Sequence, residues 1–80
     1  MSETTRDFPF REIPAEQRCL LIVATGVDSA TALREAADLE DAVRRLLVLG
    51  TETGVDGGLA YLCEFALEMA SALRQACKDG

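Results

Sequence analysis

The tetrapeptide TGVD occurs twice in this chain, at residues 25–28 and 53–56, 28 positions apart. Each copy is followed by a run of residues with apolar side chains at helical spacing. Asp is a preferred helix N-cap, because its side chain accepts hydrogen bonds from the first N–H groups of the helix. We therefore interpret Asp28 and Asp56 as helix caps. A phosphate-binding loop is the alternative, but the first loop has a single glycine, no GK[ST] sequence follows, and a capping Asp would repel an anion.

The apolar spacing after each TGVD predicts two helices, over residues 29–49 and 58–77. Gly50 is well suited to end the first helix. The second helix is apolar around most of its circumference, so it needs more than one neighbour. Joined by a loop over residues 50–57, the two helices are expected to form an antiparallel hairpin. The apolar face of the first helix consists of Ala32, Ala36, Leu39, Val43 and Leu46.

Residues 18–24, with the sequence RCLLIVA, form a continuous apolar run that predicts a short β-strand covered on both faces. Residues 1–17 are polar and contain two prolines, which predicts an extended, partly disordered arm. The strand needs a neighbour, and the candidates are residues 8–13 of the arm and the same strand of a second copy. The predicted fold is therefore α+β and mostly α, with an arm, one short strand and a helical hairpin. Residues 18–80 make up its single small domain.

The proportion of apolar residues favours a homodimer. Hydrophobic residues make up 49% of the 80 residues, and so small a domain has little interior to hold them. A symmetric dimer would cover the surplus, with the strand paired antiparallel with its counterpart and the second helix contributing to the contact. The predicted interface residues are Leu20, Ile22, Phe65, Met69 and Leu73.

Charge and cysteine usage narrow the class of protein. The net charge is −6 and no segment is basic, which argues against binding to nucleic acid or to an anionic membrane surface. The longest apolar run is too short to span a membrane, and the first ten residues show no charged-then-apolar leader. The three cysteines form neither a disulfide framework nor a CxxC zinc pair. We therefore expect a soluble cytoplasmic protein with reduced thiols.

Catalytic residue combinations are lacking. The chain contains no histidine, which is the usual base for a catalytic cysteine and a member of the carboxylate metal motifs of helical bundles. The cysteines are interpreted as small core residues. Glu64 and Glu68 are like charges at i,i+4, and we expect them to be solvated or paired with Arg44 and Arg45 across the hairpin. We predict no enzymatic activity, no cofactor and no metal ion.

The polar helix faces are the predicted surface for a partner protein. In the first helix, Glu40 with Arg44 and Asp41 with Arg45 have the spacing of i,i+4 ion pairs. Such residues are usually a solvated face, but they can equally form the polar part of a binding surface. The partner-facing candidates are Asp38, Asp41, Arg45, Glu64 and Glu68.

Three segments resemble a family of short, uncharacterised proteins from pseudomonads and related bacteria. They are LLIVATGVD at residues 20–28, ALREAADL at 32–39 and EMASAL at 68–73. The family shows an apolar strand that ends in a Gly-Val-Asp or Gly-Val-Pro turn, followed by two helices. The resemblance covers about residues 20–76. It implies only the order strand, helix, helix, because no activity is assigned to the family.

These observations predict a non-enzymatic protein-interaction or regulatory module that acts as a small homodimer. Two alternatives stay open. One is a small-ligand-binding protein with a pocket near residues 50–58, where Tyr61, Cys63 or Glu64 would lie. The other is an acidic, antitoxin-like inhibitor of a basic partner, which clustering of the helical carboxylates on one side of the dimer would favour.

Overall fold

The computed structural model describes residues 3–77, so residues 1–2 of the predicted arm and residues 78–80 lie outside the described part of the chain. Residues 3–77 form a mostly helical α+β fold with a two-stranded antiparallel sheet and a helical hairpin, which confirms the predicted fold class. A second strand stands where the sequence predicted an arm. The elements are strand β1 (Phe8–Ile13), a 3-10 turn (Pro14–Glu16), strand β2 (Arg18–Val23), helix α1 (Ser29–Thr53) and helix α2 (Gly57–Ala76).

Strand β2 has the N-terminal residues of its own chain as a neighbour. Strand β1 pairs with it in antiparallel register, from Phe8 opposite Val23 to Ile13 opposite Arg18. The second half of the predicted arm is ordered because Phe8 and Phe10 pack against the cluster that Val23 forms with α2. Removing two aromatic rings from water offsets the entropy lost when the arm is fixed.

Only one face of β2 is covered in this chain, contrary to the prediction that both are. Cys19, Leu21 and Val23 alternate with exposed residues and form the inner face of the strand. Leu20 and Ile22 point outward, with 64% and 56% of their surface exposed. A continuous apolar run is typical of a strand buried on both sides, but among residues 3–77 the helices pack on one side of the sheet.

Helix α1 is longer than predicted, and the loop after it is shorter. The helix continues through Gly50 to Thr53, so that only residues 54–56 separate it from α2. Gly50 is buried, and the side chain of Val55 fills the space that a Cβ atom would need. Gly50 therefore serves as a close-packing position within the helix. The helix ends at Gly54, the glycine of the second TGVD, which has a φ of 89°.

Small side chains form the core of the molecule. The buried contact between the helices consists of Ala32, Ala36 and Val43 on α1 with Cys63 and Ala70 on α2. The other side of α2 packs on the sheet through Ala72 and Ala76, against Val23 and the rings of Phe8 and Phe10. The molecule is flat, with principal extents of 46 × 34 × 15 Å. Most large apolar side chains therefore lie at the edges of this thin core.

The segment before β1 holds the first TGVD turn in place. Thr5 is 2% exposed, and its hydroxyl donates to the carbonyl oxygen of Ala24 at 2.6 Å. The same hydroxyl accepts from the N–H of Val27 at 3.0 Å, and the Thr5 carbonyl accepts from the N–H of Gly26 at 2.9 Å. One buried threonine thus supplies the partners that the turn between β2 and α1 needs.

Candidate interaction surfaces

Both TGVD sequences are helix starts. The Asp28 carboxylate accepts from the N–H of Thr31 at 3.2 Å, which is N-cap geometry for α1. The Asp56 carboxylate accepts from the N–H of Leu59 at 2.7 Å, in the same geometry at the start of α2. The glycine two residues before each Asp has a positive φ, 87° in the first turn and 89° in the second. The carboxylates occupy the N–H groups that a bound anion would use.

Arg11 joins the sheet to α2. Its backbone N–H and its guanidinium donate to the two carboxylate oxygens of Glu68, at 2.9 and 2.7 Å. The guanidinium also lies 4.5 Å from the ring centroid of Phe65 and 5.2 Å from that of Tyr61. The bond from Arg11 holds the pKa of Glu68 below its usual value, and the pKa of Arg11 is raised in return. Arg11 has a φ of 62°, which places it outside ordinary strand geometry.

The carboxylates of α2 therefore have a different partner from the predicted one. Glu68 binds Arg11, and the Glu64 carboxylate lies 3.8 Å from the same guanidinium. The predicted pairing of these carboxylates with Arg44 and Arg45 does not occur, because both arginines contact Asp41 within α1. Arg11 lies 57 positions before Glu68, so local spacing could not predict the pair.

A second ion pair ties α1 to α2. Arg74 donates to both carboxylate oxygens of Glu40, at 2.9 and 2.6 Å. These bonds lower the pKa of Glu40 and raise that of Arg74. Beside the bonds from Arg74, the charge of Arg44, the predicted i,i+4 partner, also lowers the pKa of Glu40, but the ion-pair contact of Arg44 is with Asp41. The predicted pair of Asp41 with Arg45 is present at 3.0 Å.

The two sides of the hairpin differ in character. One side carries the residues that follow the buried contact residues by four positions, which are 40 and 47 on α1 and 67 and 74 on α2. Leu47 of α1 and Leu67 of α2 line one groove there, and Glu40 bonds Arg74 on that side. The groove has a volume of about 560 Å³ and is lined by Glu40, Val43, Arg44, Leu47, Val48, Thr51 and Leu67. We call it the interhelical groove.

The opposite side of the hairpin carries an apolar surface. On α1 it begins at Leu39, three positions after Ala36, and on α2 at Leu62, and on each helix it continues at a spacing of three and four residues, as in the seam of a helical bundle. Glu35, three positions after Ala32, is exposed and marks the end of this row on α1. Leu62 is 62% exposed and Leu49 is 59% exposed, whereas Met69 and Leu73 are half-buried. No member of this surface is charged. We call it the hairpin face, and it consists of Leu39, Ala42, Leu46, Leu49, Leu62, Ala66, Met69 and Leu73.

The predicted interface residues fall into three places. Met69 and Leu73 lie on the hairpin face, and Leu20 and Ile22 lie on the outer side of β2. Phe65 lies beneath the Arg11 guanidinium, where it holds β1 against α2. The most exposed residues of the hairpin face were missed. Residues 39, 42, 46 and 49 follow a spacing of three and four, but this spacing indicates a separate exposed face only when the buried contact residues are known.

The predicted partner-facing residues do not form one cluster. Asp38 is exposed on α1, on the side away from α2, and Asp41 lies beside it in contact with Arg45. Glu64 and Glu68 lie at Arg11, on the far side of α2 from α1. The acidic residues are thus divided between two surfaces, and Glu68 is neutralised by its partner.

The cysteines and carboxylates of residues 3–77 are not grouped as a metal site would require. All three cysteines are free thiols, of which Cys63 is buried between the helices and Cys19 and Cys77 are half-buried. Within residues 3–77, no group of three or more His, Cys, Asp or Glu side chains is placed to hold a metal ion. Neither described helix combines the length and the apolar character that crossing a membrane requires.

Comparison with known proteins yields no relative. No family model matches the chain, and no curated protein or solved structure matches it. The resemblance to the pseudomonad family therefore stays a prediction.

Proposed function

We propose that this protein is a non-enzymatic protein-interaction or regulatory module that acts as a small homodimer. The observation that supports it is the hairpin face, whose eight members are all uncharged. Its eight side chains cover about 15 Å along the helices and about 20 Å across them, so its footprint is about 300 Å². The largest apolar patch on a monomer commonly has about this size and is often functional.

A second copy is the occupant that the composition favours. Each molecule carries a net charge of −6, but the eight members of the hairpin face contribute none of it. Glu35 lies at the end of the face, so two copies can meet over the uncharged part with this carboxylate at the rim. A hairpin with a bundle-type seam lacks its other half, and an isologous contact supplies that half from the same sequence. The outer, polar side of α1 with Asp38 and Asp41 stays exposed in such a dimer. It is the surface we assign to a different protein.

The test is the mass in solution, measured by light scattering after size exclusion with reductant present. We expect a dimer that persists on dilution. Leu62→Asp should shift the mass to one chain, because it buries an unpaired charge in the contact. Val48→Asp is the matched control, since Val48 is also 62% exposed but lies in the interhelical groove. A parent protein that is monomeric at all concentrations would refute the proposal.

A small-ligand-binding protein is the second candidate, and the interhelical groove is the observation that favours it. Its volume of about 560 Å³ lies within the usual range for ligand sites, and its floor is apolar. Arg44 stands at its rim and is 73% exposed, so it could receive a carboxylate. A screen of aliphatic carboxylates by ligand-observed NMR, with Arg44→Gln as the control, tests this function. The acidic-inhibitor alternative has less support, because its carboxylates are divided between two surfaces.

A further inference from the structure

The two strands differ in how their edges are protected against pairing. Strand β1 contains Pro9, which cannot donate to a neighbouring strand, and Arg11, whose φ of 62° breaks the extended geometry. Such features commonly prevent a strand edge from pairing with another chain. Strand β2 has neither. Apart from Arg18 at its start it is wholly apolar, and within residues 3–77 the sheet has β1 on one side of it and no strand on the other.

The unpaired edge of β2 lies beside the hairpin face. Helix α2 packs mainly over β1 and makes fewer contacts with β2. Leu73, a member of the hairpin face, packs against the cluster that Val23 of β2 forms with Ala72 and Ala76 of α2. Strand β1 contacts other positions of α2, since Arg11 bonds Glu68 and lies over Phe65, so β2 is the strand nearer to the hairpin face. The inner side chains Cys19 and Leu21 are consequently only half-buried. An additional strand along β2 would lie directly in front of the hairpin face.

We propose that β2 pairs antiparallel with β2 of a second copy, so that the dimer has a continuous four-stranded sheet with all four helices on one side. This inference rests on the proposed homodimer and specifies where its two-fold axis passes. A two-stranded sheet is marginal on its own, whereas four strands are typical of stable sheets. The same rotation brings the two hairpin faces toward each other across the axis.

Side-chain alternation restricts the register of this pairing. Residues opposite one another in an antiparallel pair point to the same face of the sheet. If Leu20 were opposite Leu21, the inner face of one copy would continue as the outer face of the other, and the helices would lie on opposite sides. The registers that keep the helices together place a residue of β2 opposite itself, and the two that pair most of the strand place Leu20 opposite Leu20, or Leu21 opposite Leu21.

The charges agree with these two registers. Arg18 is the only charged residue of β2. With Leu20 opposite itself, Arg18 faces Ile22 of the other copy, and with Leu21 opposite itself it faces Ala24. The two Arg18 side chains then lie near opposite ends of the strand pair, about 14–20 Å apart at about 3.4 Å per residue. Pairing of β2 with itself therefore brings no like charges together.

Cysteine cross-linking tests the proposal on the full chain. In a background carrying Cys19→Ser, Cys63→Ala and Cys77→Ser, single cysteines are introduced as Leu20→Cys and Leu21→Cys. Residues opposite themselves have Cα atoms about 4.5–5.5 Å apart, within the range that a disulfide spans. Mild oxidation should convert most of one variant to a covalent dimer on a non-reducing gel. Leu47→Cys, in the interhelical groove, is the control that should stay monomeric on the gel.

The possible outcomes distinguish a failure of the strand pairing from a failure of the proposed homodimer. Cross-linking through Leu20→Cys or Leu21→Cys, with the cross-linked protein keeping its helical circular dichroism, supports the strand pairing. A dimer by light scattering that cross-links at neither position overturns the strand pairing and leaves the homodimer in place. A monomer by light scattering, with no cross-link above the Leu47→Cys control, overturns both. Ile22→Lys gives an independent check, because a lysine on a strand edge should reduce the dimer fraction at least tenfold.

Discussion

Among substitutions that replace a hydroxyl by a methyl group, Thr5→Val should cause the largest loss of stability. Valine has nearly the same shape, so the core packing is kept and only the hydroxyl is removed. Two hydrogen bonds disappear, one to the carbonyl oxygen of Ala24 and one from the N–H of Val27. A hydrogen bond contributes about 1 kcal/mol net, and a buried group left without a partner costs about 1–3 kcal/mol. We therefore expect a loss of about 2–3 kcal/mol in the free energy of unfolding.

Urea denaturation followed by circular dichroism measures this loss. Parent and variant are compared at one protomer concentration, because the stability of a dimer depends on concentration. Thr25→Val is the matched control: the Thr25 hydroxyl donates to the Thr5 carbonyl oxygen at 3.1 Å, but the residue is exposed. Its effect should stay below about 1 kcal/mol. If Thr5→Val changes the free energy of unfolding by no more than the control does, Thr5 does not hold the turn.

Two further predictions concern a helix cap and pH. Asp28→Ala should lower the free energy of unfolding by about 1 kcal/mol through loss of the α1 cap, and an unchanged urea midpoint would count against the cap. The pKa values of Glu40 and Glu68 are lowered in the folded state by Arg74 and Arg11, so their ion pairs contribute stability above the ordinary carboxyl pKa of 4.5. That contribution should disappear as the pH falls below about 4.5 through the folded-state values, because the unfolded chain binds protons first. Glu68→Gln should show a smaller loss of stability between pH 6 and 3 than the parent, and an equal loss would refute the assignment.

Local rules predicted the helices because the residues that define them are close in sequence. Asp28 and Asp56 each lie three positions before the N–H group that they cap, so the pattern is complete within one turn. The end of α1 was predicted four residues early. Gly50 weakens a helix in isolation, but here it makes room for Val55, a tertiary reason that overrides local propensity.

Contacts between residues far apart in the chain could not be predicted, because no local sequence pattern indicates them. Strand β1 is held in place because Phe8 and Phe10 pack against α2 and because Arg11 donates a hydrogen bond to Glu68, more than 50 positions away. Glu68 could have paired with several arginines by spacing alone. Arg11, which does pair with it, has a left-handed backbone, and its guanidinium lies over the ring of Phe65. Such a conformation is rare for arginine, so no pattern of residue types predicts it.

The small size of the core residues explains why association is expected of this fold. Alanine at positions 32, 36 and 70 lets the helices approach closely, but it offers little apolar area to bury. The leucines that would normally fill a helical interior lie instead on the two sides of the hairpin. Burying one leucine fully contributes about 1.5–3 kcal/mol, so the exposed leucines leave part of the hydrophobic free energy of this sequence unused in one copy. On the interhelical side, charged residues border the apolar floor, and water can cover it at modest cost. The eight side chains of the hairpin face are uncharged, with Glu35 at its end, and the unprotected edge of β2 lies beside it, so the second copy that we propose would use both features together.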